Sequence, residues 1–446
     1  TNQIILSDFM EEHQINIRMF RPMESYQKYG GVLTFARSVG YAVVKKPEGY
    51  TTAKVDQIIQ EYEKKSANAQ QSTAKQYPNI ITVVNETFAD IKVLGDFKTN
   101  EDYMPYFHSL KKNCVTGYTY ASIVGGQTAN TEFELLTGNT LGFLSAGTTA
   151  FQLYIHGQMP SLVSNLKAEG YSGNKAMHPF NPYNYNRPAV YKDFGFTDFI
   201  DKFDFPKNVK RVREYISDEA NVDRIISEYE KNRKKTDQPF YMYNMTIQNH
   251  SPYDKDAANF KQPIKIESSK YDAEANRYLN LIKYSDDSLK QLTSYFEKCK
   301  EPTIILFLGD HQPRLTDEFM NKITNGQYQT WSSEQMMKRY QVPFVIWANY
   351  DIKEQHIEKT SMNYMQSILT QTAGVKMTGY QRFLNEVRKE VPTITSQGYW
   401  GKNGKFYQIN DKGSPYYGII QKYRMIQYNM MFDKKNRRDS FFEVSK

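Results

Sequence analysis

The sequence predicts an α/β protein with a largely parallel central sheet flanked by helices and a small C-terminal subdomain. Three observations carry this. Short β-branched and apolar runs recur at PNIITVVNE (78–86), FYMYNMTIQNH (240–250), TIILFLGDH (303–311) and VPFVIWAN (342–349). Continuous runs of this kind suit strands buried on both faces. Helical stretches lie between them, at Leu162–Glu169, Val222–Arg233 and Tyr271–Lys298, and strands alternating with helices indicate parallel sheets. A chain of 446 residues, 39% hydrophobic and 24% charged, is also rich enough in apolar side chains to pack a core.

In chain order, residues 1–77 read as a polar helical arm. Apolar residues fall at helical spacing around Val32–Val44, Pro47-Glu48-Gly49 makes a break, and a second helical run carries Ile58, Ile59 and Tyr62. KKSANAQQSTAKQYP (64–78) is a small-polar linker. The main domain is expected over 78–380. Residues 381–446 are basic and aromatic, with Gly-rich turns and a late helical run, and are expected to form the subdomain.

Composition excludes several classes. The net charge is +8, from 57 basic and 49 acidic residues. There is no long Lys/Arg block and no zinc-finger or RNA-binding signature, so nucleic acid is not an expected partner. A mild positive field suits anionic lipid, cell wall or phosphate substrates. Two cysteines, Cys114 and Cys299, exclude a disulfide framework and leave open one bridge or two free thiols. No apolar run reaches the ~18 residues a membrane span needs. The chain opens on Thr1 without a signal-peptide core, so it is expected to be a piece, or a processed form, of a longer protein. Tyrosine is abundant, 35 residues, and its ring with a hydroxyl suits surfaces that face sugars.

The chemistry collects at strand ends. The first run ends Asn85-Glu86, the second Gln248-Asn249-His250 and the third Gly309-Asp310-His311. Ligands of open α/β sheets sit beyond the carboxyl ends of the strands. Carboxylates and imidazoles gathered there suit Mn²⁺, Mg²⁺ or Zn²⁺. Taken singly, Glu86 could be an acidic residue closing a strand, Asp310-His311 a turn, and His250 a satisfied loop histidine. In GGQTANTEFELLTG (125–138), Thr128 sits at a good N-cap position and Gly138 at a good helix end. A helix start also offers free N–H groups and partial positive charge, and a hydroxyl there beside a divalent ion can become a nucleophile. Capping and nucleophilic roles both remain open for Thr128.

Together, NE (85–86), GQTANTEFELL (126–136), NHSPY (249–253) and GDH (309–311) resemble the lipoteichoic acid synthase family. These are bacterial cell-surface phosphoglycerol transferases of the alkaline phosphatase and sulfatase superfamily. The resemblance covers roughly residues 78–375. It implies an alkaline phosphatase/sulfatase-like fold. It implies that Glu86, Asp310 and His311 bind one divalent ion, with manganese expected and magnesium or zinc as alternatives. Thr128 would be nucleophile and fourth ligand, and His250 would stand beside the phosphate. The segment MHPFNPYNYNRPAVYKDFGF (177–196) resembles the lining of a glycerol-phosphate pocket, with His178 and Arg187 as the matching residues. Arg187 would grip phosphate with its planar fork, the alternative being a surface arginine.

The resemblance further implies a phosphatidylglycerol donor, membrane helices upstream of this chain, and a catalytic domain outside the cell membrane. The 135–162 segment and GDHQPRL look closer to members that place glycerol phosphate on a wall glycan, and the aromatic tail fits a glycan. The expected reaction is transfer to a cell-surface glycan or teichoic acid acceptor. Lipoteichoic acid polymerisation, or a catalytically inactive wall- or lipid-binding module, are the alternatives. A sulfatase reaction is disfavoured, since no Cys- or Ser-x-Pro-x-Arg nucleophile motif is found and Cys114 lies in NCVTGY.

Overall fold

The computed structural model describes residues 22–32, 34, 44–66, 76–326 and 328–444. Most of the helical run expected around Val32–Val44, and linker residues 67–75, lie outside the described residues. No described helix is long and apolar enough to cross a membrane.

The four expected runs all form strands: β1 (Asn79–Asn85), β7 (Phe240–Met245), β8 (Thr303–Gly309) and β9 (Gln341–Ala348). The sheet is completed by β2 (Cys114–Tyr120), β3 (Ser172–Met177), β4 (Asp198–Ile200) and β10 (Gln355–Ser361). Its order is β10-β2-β9-β8-β1-β7-β3-β4. All neighbours are parallel except β9, which runs antiparallel to both β2 and β8. Every residue of β1, β7 and β8 is buried, which explains their unbroken apolar character. The edge strand β10 mixes exposed and buried positions and has no such signature. The β5 (Arg211–Val212) and β6 (Tyr215–Ile216) strands make a separate hairpin, and β11 (Thr393–Thr395), β12 (Gly398–Trp400) and β13 (Phe406–Tyr407) a small antiparallel sheet.

Helices cover the sheet at Leu162–Ala168, Asp218–Arg233 and Ala273–Phe296, close to the expected ranges. The arm differs from the expected polar connector. In the Thr52–Ser66 helix, Val55, Ile58, Ile59 and Tyr62 are buried. Tyr62 packs edge-on against Phe383 at 4.7 Å, and Tyr50 against Tyr428 at 4.7 Å. Arg438 closes the contact with two hydrogen bonds to Asp56, 2.6 and 2.8 Å. The helix Gly379–Glu390 begins two residues before the proposed limit at 381, and β11–β13 and the Tyr417–Phe432 helix follow it. We keep 1–77, 78–380 and 381–446 as proposed units that share one core.

The tyrosines correct a second expectation. They are mostly core residues, and among the described residues only Tyr26, Tyr183 and Tyr271 are exposed. Their rings fill volume and several of their hydroxyls find internal acceptors. The Tyr380 and Tyr423 hydroxyls both donate to the Gly138 carbonyl, at 2.8 and 2.6 Å. Cys114 and Cys299 are both free thiols.

Glu134 sits at this junction, fully buried. Its Oε1 accepts from Ser122 Oγ (2.8 Å), Leu141 N (2.8 Å) and Thr140 Oγ1 (3.2 Å). Burial pushes its carboxyl up from 4.5 to about 7 against those bonds. A folded pKa above the unfolded one means the native state keeps a proton that the unfolded chain loses. This contribution is therefore full below 4.5 and is lost as pH rises to about 7. The change is on the order of 3 kcal/mol. Denaturant titrations between these limits should show wild-type stability falling relative to Glu134→Gln; parallel curves would refute the assignment.

Candidate active site and metal centre

β1 and β8 are adjacent and parallel, with Asn85 in register with Gly309. Their next residues, Glu86 and Asp310-His311, therefore emerge together at the carboxyl edge. Glycine at 309 is required by close approach, since a Cβ there would lie 1.9 Å from the Phe88 carbonyl oxygen. The loop after β1 is pinned over this point. Asp310 Oδ1 accepts from the N–H groups of Thr87 (2.7 Å) and His311 (2.8 Å). The Tyr278 hydroxyl donates to the carbonyls of Thr87 (2.7 Å) and Ala89 (3.1 Å).

Glu86, Asp310 and His311 are buried, with one ligand atom from each within 4.8 Å of the others. His311 Nε2 is 3.1 Å from Asp310 Oδ2 and 3.9 Å from Glu86 Oε1. His311 Nδ1 lies 3.0 Å from the Gln312 carbonyl, so that nitrogen carries the proton and Nε2 presents its lone pair. Asp310 Oδ2 and His311 Nε2 are buried without a hydrogen-bond partner. Burial, and then the neighbouring Asp310, push the Glu86 carboxyl well above its usual range. Two carboxylates and an imidazole lone pair, dry and facing one another, fit a divalent cation.

Thr128 opens the helix Thr128–Thr137, and its hydroxyl lies close enough to Glu86 to favour the ionised carboxylate. The N-cap is Gln127, which takes a left-handed conformation (φ 66°) without a side-chain cap. This corrects the capping reading of Thr128: its side chain turns to the cluster instead. Gly125 (φ 66°) and Gly126 (φ 139°) precede it, so three successive left-handed residues turn the chain into the helix. Thr131 Oγ1 ties the first turn to the Asp310 carbonyl at 2.8 Å.

The cluster opens into a cavity of about 410 Å³ whose walls include Thr128, His178, Arg187, His250 and Arg314. The structure thus brings all seven residues singled out from the sequence to one site. His178 and His250 each direct Nδ1 to a carbonyl, Met245 at 3.0 Å and Ser251 at 2.7 Å, leaving Nε2 as an acceptor. Burial lowers both imidazole pKa values, His178 far below its usual range, so both are neutral.

Arg187 is only 2% exposed, which rules out a surface arginine. The expected two-point grip on phosphate also needs correction. Its Nε and Nη2 bond Glu132 Oε1 at 3.1 and 2.7 Å, leaving Nη1 as the nitrogen not spent on that carboxylate. Burial opposes the guanidinium charge, and Glu132 more than offsets it. Glu132 was not singled out from the sequence. Its signal is spacing: it follows Thr128 by one helical turn, on the same face. Arg213 was also missed. Its guanidinium donates to the carbonyls of Gln248 (2.8 Å), His250 (2.8 Å) and Pro252 (2.6 Å), clamping the His250 loop.

A mostly parallel sheet with a candidate metal triad and a helix-start hydroxyl at its carboxyl edge fits an alkaline phosphatase-like α/β domain. The chain belongs to the sulfatase family, whose model matches residues 78–375. Among relatives, a putative cyclic beta-1,2-glucan modification protein of Rhizobium meliloti is 30% identical over 95% of this chain and 65% of its own length. The lipoteichoic acid synthase-like YvgJ of Bacillus subtilis is 27% identical over 52% of this chain and 36% of its own length. The chain thus spans less than two thirds of these relatives. The fold is similar to the Streptococcus pyogenes phosphoglycerol transferase GacH in complex with sn-glycerol-1-phosphate. That match has a TM-score of 0.72 and 21% identity, covering 90% of this chain and all of the other. Cys114 is no substitute for a sulfatase nucleophile, being buried in β2 with its thiol pushed up to about 12 by burial.

Two outcomes follow from this geometry. Calorimetric titration with MnCl₂ should show one site per chain, weakened at least roughly 10-fold in Asp310→Asn and His311→Ala; unchanged affinity would remove the triad as the site. Arg187→Ala strands Glu132 in the core and should cost about 3–5 kcal/mol in denaturant unfolding. A loss below ~1 kcal/mol, the range of an exposed pair, would mean that the Glu132 charge is relieved some other way.

Proposed function

We propose that this domain transfers glycerol phosphate from phosphatidylglycerol to a cell-surface glycan through a phospho-threonine intermediate. We place it on the outer side of the cell membrane. One observation carries the reading: the Thr128 hydroxyl faces the Glu86–Asp310–His311 triad inside a cavity that also presents Arg187 and His250. The extended match to a protein named for glucan modification supports a glycan acceptor over a growing glycerol-phosphate chain.

Glu86, Asp310, His311 and Thr128 would hold one divalent ion, which supplies positive charge that favours an ionised hydroxyl and a developing phosphorane. We take that ion to be manganese. Thr128 Oγ1 attacks phosphorus, its bond to phosphorus forms, and the bond to the diacylglycerol oxygen breaks. The helix N-terminus beneath Thr128 and the Nη1 of Arg187, which otherwise reaches the Asn184 carbonyl at 3.5 Å, stabilise charge on the phosphate oxygens. His250 is neutral at rest, so its Nε2 takes the proton that Thr128 Oγ1 loses as it attacks and gives that proton to the departing diacylglycerol oxygen. In the second half, the acceptor hydroxyl gives its proton to His250 and attacks phosphorus, the bond from phosphorus to Thr128 Oγ1 breaks, and His250 returns the proton to Oγ1.

Thr128 does not cap its helix, so Thr128→Ala should leave stability within about 1 kcal/mol of wild type. It should abolish release of diacylglycerol from phosphatidylglycerol vesicles. Wild type quenched during turnover should carry a glycerophosphate mass adduct on the Thr128 peptide. An alanine variant that keeps a substantial share of turnover would overturn the nucleophile assignment.

A further inference from the structure

Asp218 opens the Asp218–Arg233 helix and is only 1% exposed. Among the described residues no Lys, Arg or His pairs with it. A carboxylate taken out of water without a counter-ion is costly, so its place needs a reason. Its Oδ2 accepts from Asn85 Nδ2 (2.8 Å) and Ser285 Oγ (2.6 Å). Burial pushes its carboxyl up, and the Ser285, Asn85 and Thr246 side chains pull it part of the way back. The partial positive charge of the helix start acts in the same sense as those side chains.

From Asp218 a closed circuit of hydrogen bonds runs through three amides. Asn85, which donates to Asp218 from Nδ2, accepts at Oδ1 from Asn249 Nδ2 (3.1 Å). Asn249 accepts at Oδ1 from Gln248 Nε2 (3.1 Å). Gln248 accepts at Oε1 from the backbone N–H of Asp218 (3.0 Å), which closes the ring. All four residues are buried. A side-chain amide can face either way, because its oxygen and nitrogen fill the same space, whereas a carboxylate only accepts. Asp218 therefore turns the Asn85 nitrogen toward itself, and each amide sets the next. The last of them, Gln248, brings its oxygen back to the one group of Asp218 that donates.

The circuit reaches the catalytic site through the backbone. Asn85 precedes Glu86, and Asn249 precedes His250. Asn249 Nδ2 also bonds the Glu86 carbonyl at 3.1 Å, and Thr246 Oγ1 accepts from the Glu86 N–H at 3.0 Å. β1 and β7 are parallel neighbours, so the segments that leave them are joined twice, by the sheet and by the circuit. Neither Asp218 nor Gln248 lines the catalytic cavity. We propose that Asp218 is a positioning residue, which fixes the direction of three buried amides and thereby sets where Glu86 and His250 stand relative to one another. This rests on the transfer reading above, in which Glu86 holds a cation and His250 moves a proton.

Three variants test it. Asp218→Leu keeps most of the volume and removes the acceptor. Asp218→Asn loses the charge and still offers one oxygen to Asn85 and Ser285. Gln248→Leu opens the circuit on its other side. Titration with MnCl₂ should show affinity about 10-fold or more weaker in both leucine variants, and within about 3-fold of wild type in Asp218→Asn. For release of diacylglycerol from phosphatidylglycerol vesicles, kcat should fall about 10-fold or more in the leucine variants with KM within about 3-fold, and Asp218→Asn should keep most of the rate. In the metal-free protein, amide hydrogen exchange at Glu86 and His250 should be faster in the leucine variants and near wild type in Asp218→Asn. Should Asp218→Leu not fold, Gln248→Leu and Asp218→Asn decide. The proposal is overturned if the folded leucine variants match wild type, or if Asp218→Asn is as impaired as they are. A wild type that binds no Mn²⁺ or releases no diacylglycerol removes the transfer reading, and the exchange comparison still decides the circuit.

Discussion

Glu86 and Asp310 are buried beside one another, and their proximity is the constraint around which the site is organised. Two carboxylates removed from water repel each other and lose hydration, so each disfavours the ionised form of the other. Arg187 relieves this only in part, because it is committed to Glu132. The arrangement persists because the backbone holds it. The Gly309 crossing, the Tyr278 bonds to the loop after β1 and the Thr131 bond to Asp310 all fix the carboxylates from behind. A site that is unfavourable until it meets a cation is what a metal-dependent reaction needs.

The same logic extends along the Thr128–Thr137 helix. Its start faces the triad, and its end is gripped by residues far away in sequence. Gly138 receives the hydroxyls of Tyr380 and Tyr423, and Gln427 bonds both the N–H and the carbonyl of Thr140, at 2.8 and 2.9 Å. The C-terminal segment, itself packed on the Thr52–Ser66 helix, therefore acts as a buttress for the helix that carries Thr128. A hydroxyl positioned by an element clamped at both ends keeps its aim better than one on a free loop.

Much of this was legible in the sequence, for identifiable reasons. Parallel strands buried on both faces leave continuous apolar runs, and their polar ends marked Glu86, His250 and Asp310-His311. β2 and β10 were not legible. β2 mixes threonine, glycine and tyrosine, and β10 is a half-exposed edge. Glu132 escaped because a glutamate in a helix ordinarily faces water, and only the three-dimensional meeting with Arg187, Tyr191 and Tyr243 satisfies it inside. Tyrosine abundance misled for a related reason. Composition counts rings and hydroxyls but cannot say whether the hydroxyl's partner is a sugar or a backbone carbonyl. The Thr128 cap failed by one residue, because a left-handed Gln127 can end a glycine turn without lending its side chain.

The catalytic cavity sets Arg187, Arg314 and a helix start against Glu86, Asp310 and Glu132, with the His178 and His250 imidazoles kept neutral by burial. Arg187 is committed to Glu132, so the carboxylates of the triad leave the cavity without a surplus of fixed positive charge. An anion would therefore be welcomed there by a cation held between Glu86, Asp310 and His311 and by the helix start, and not by histidine protonation.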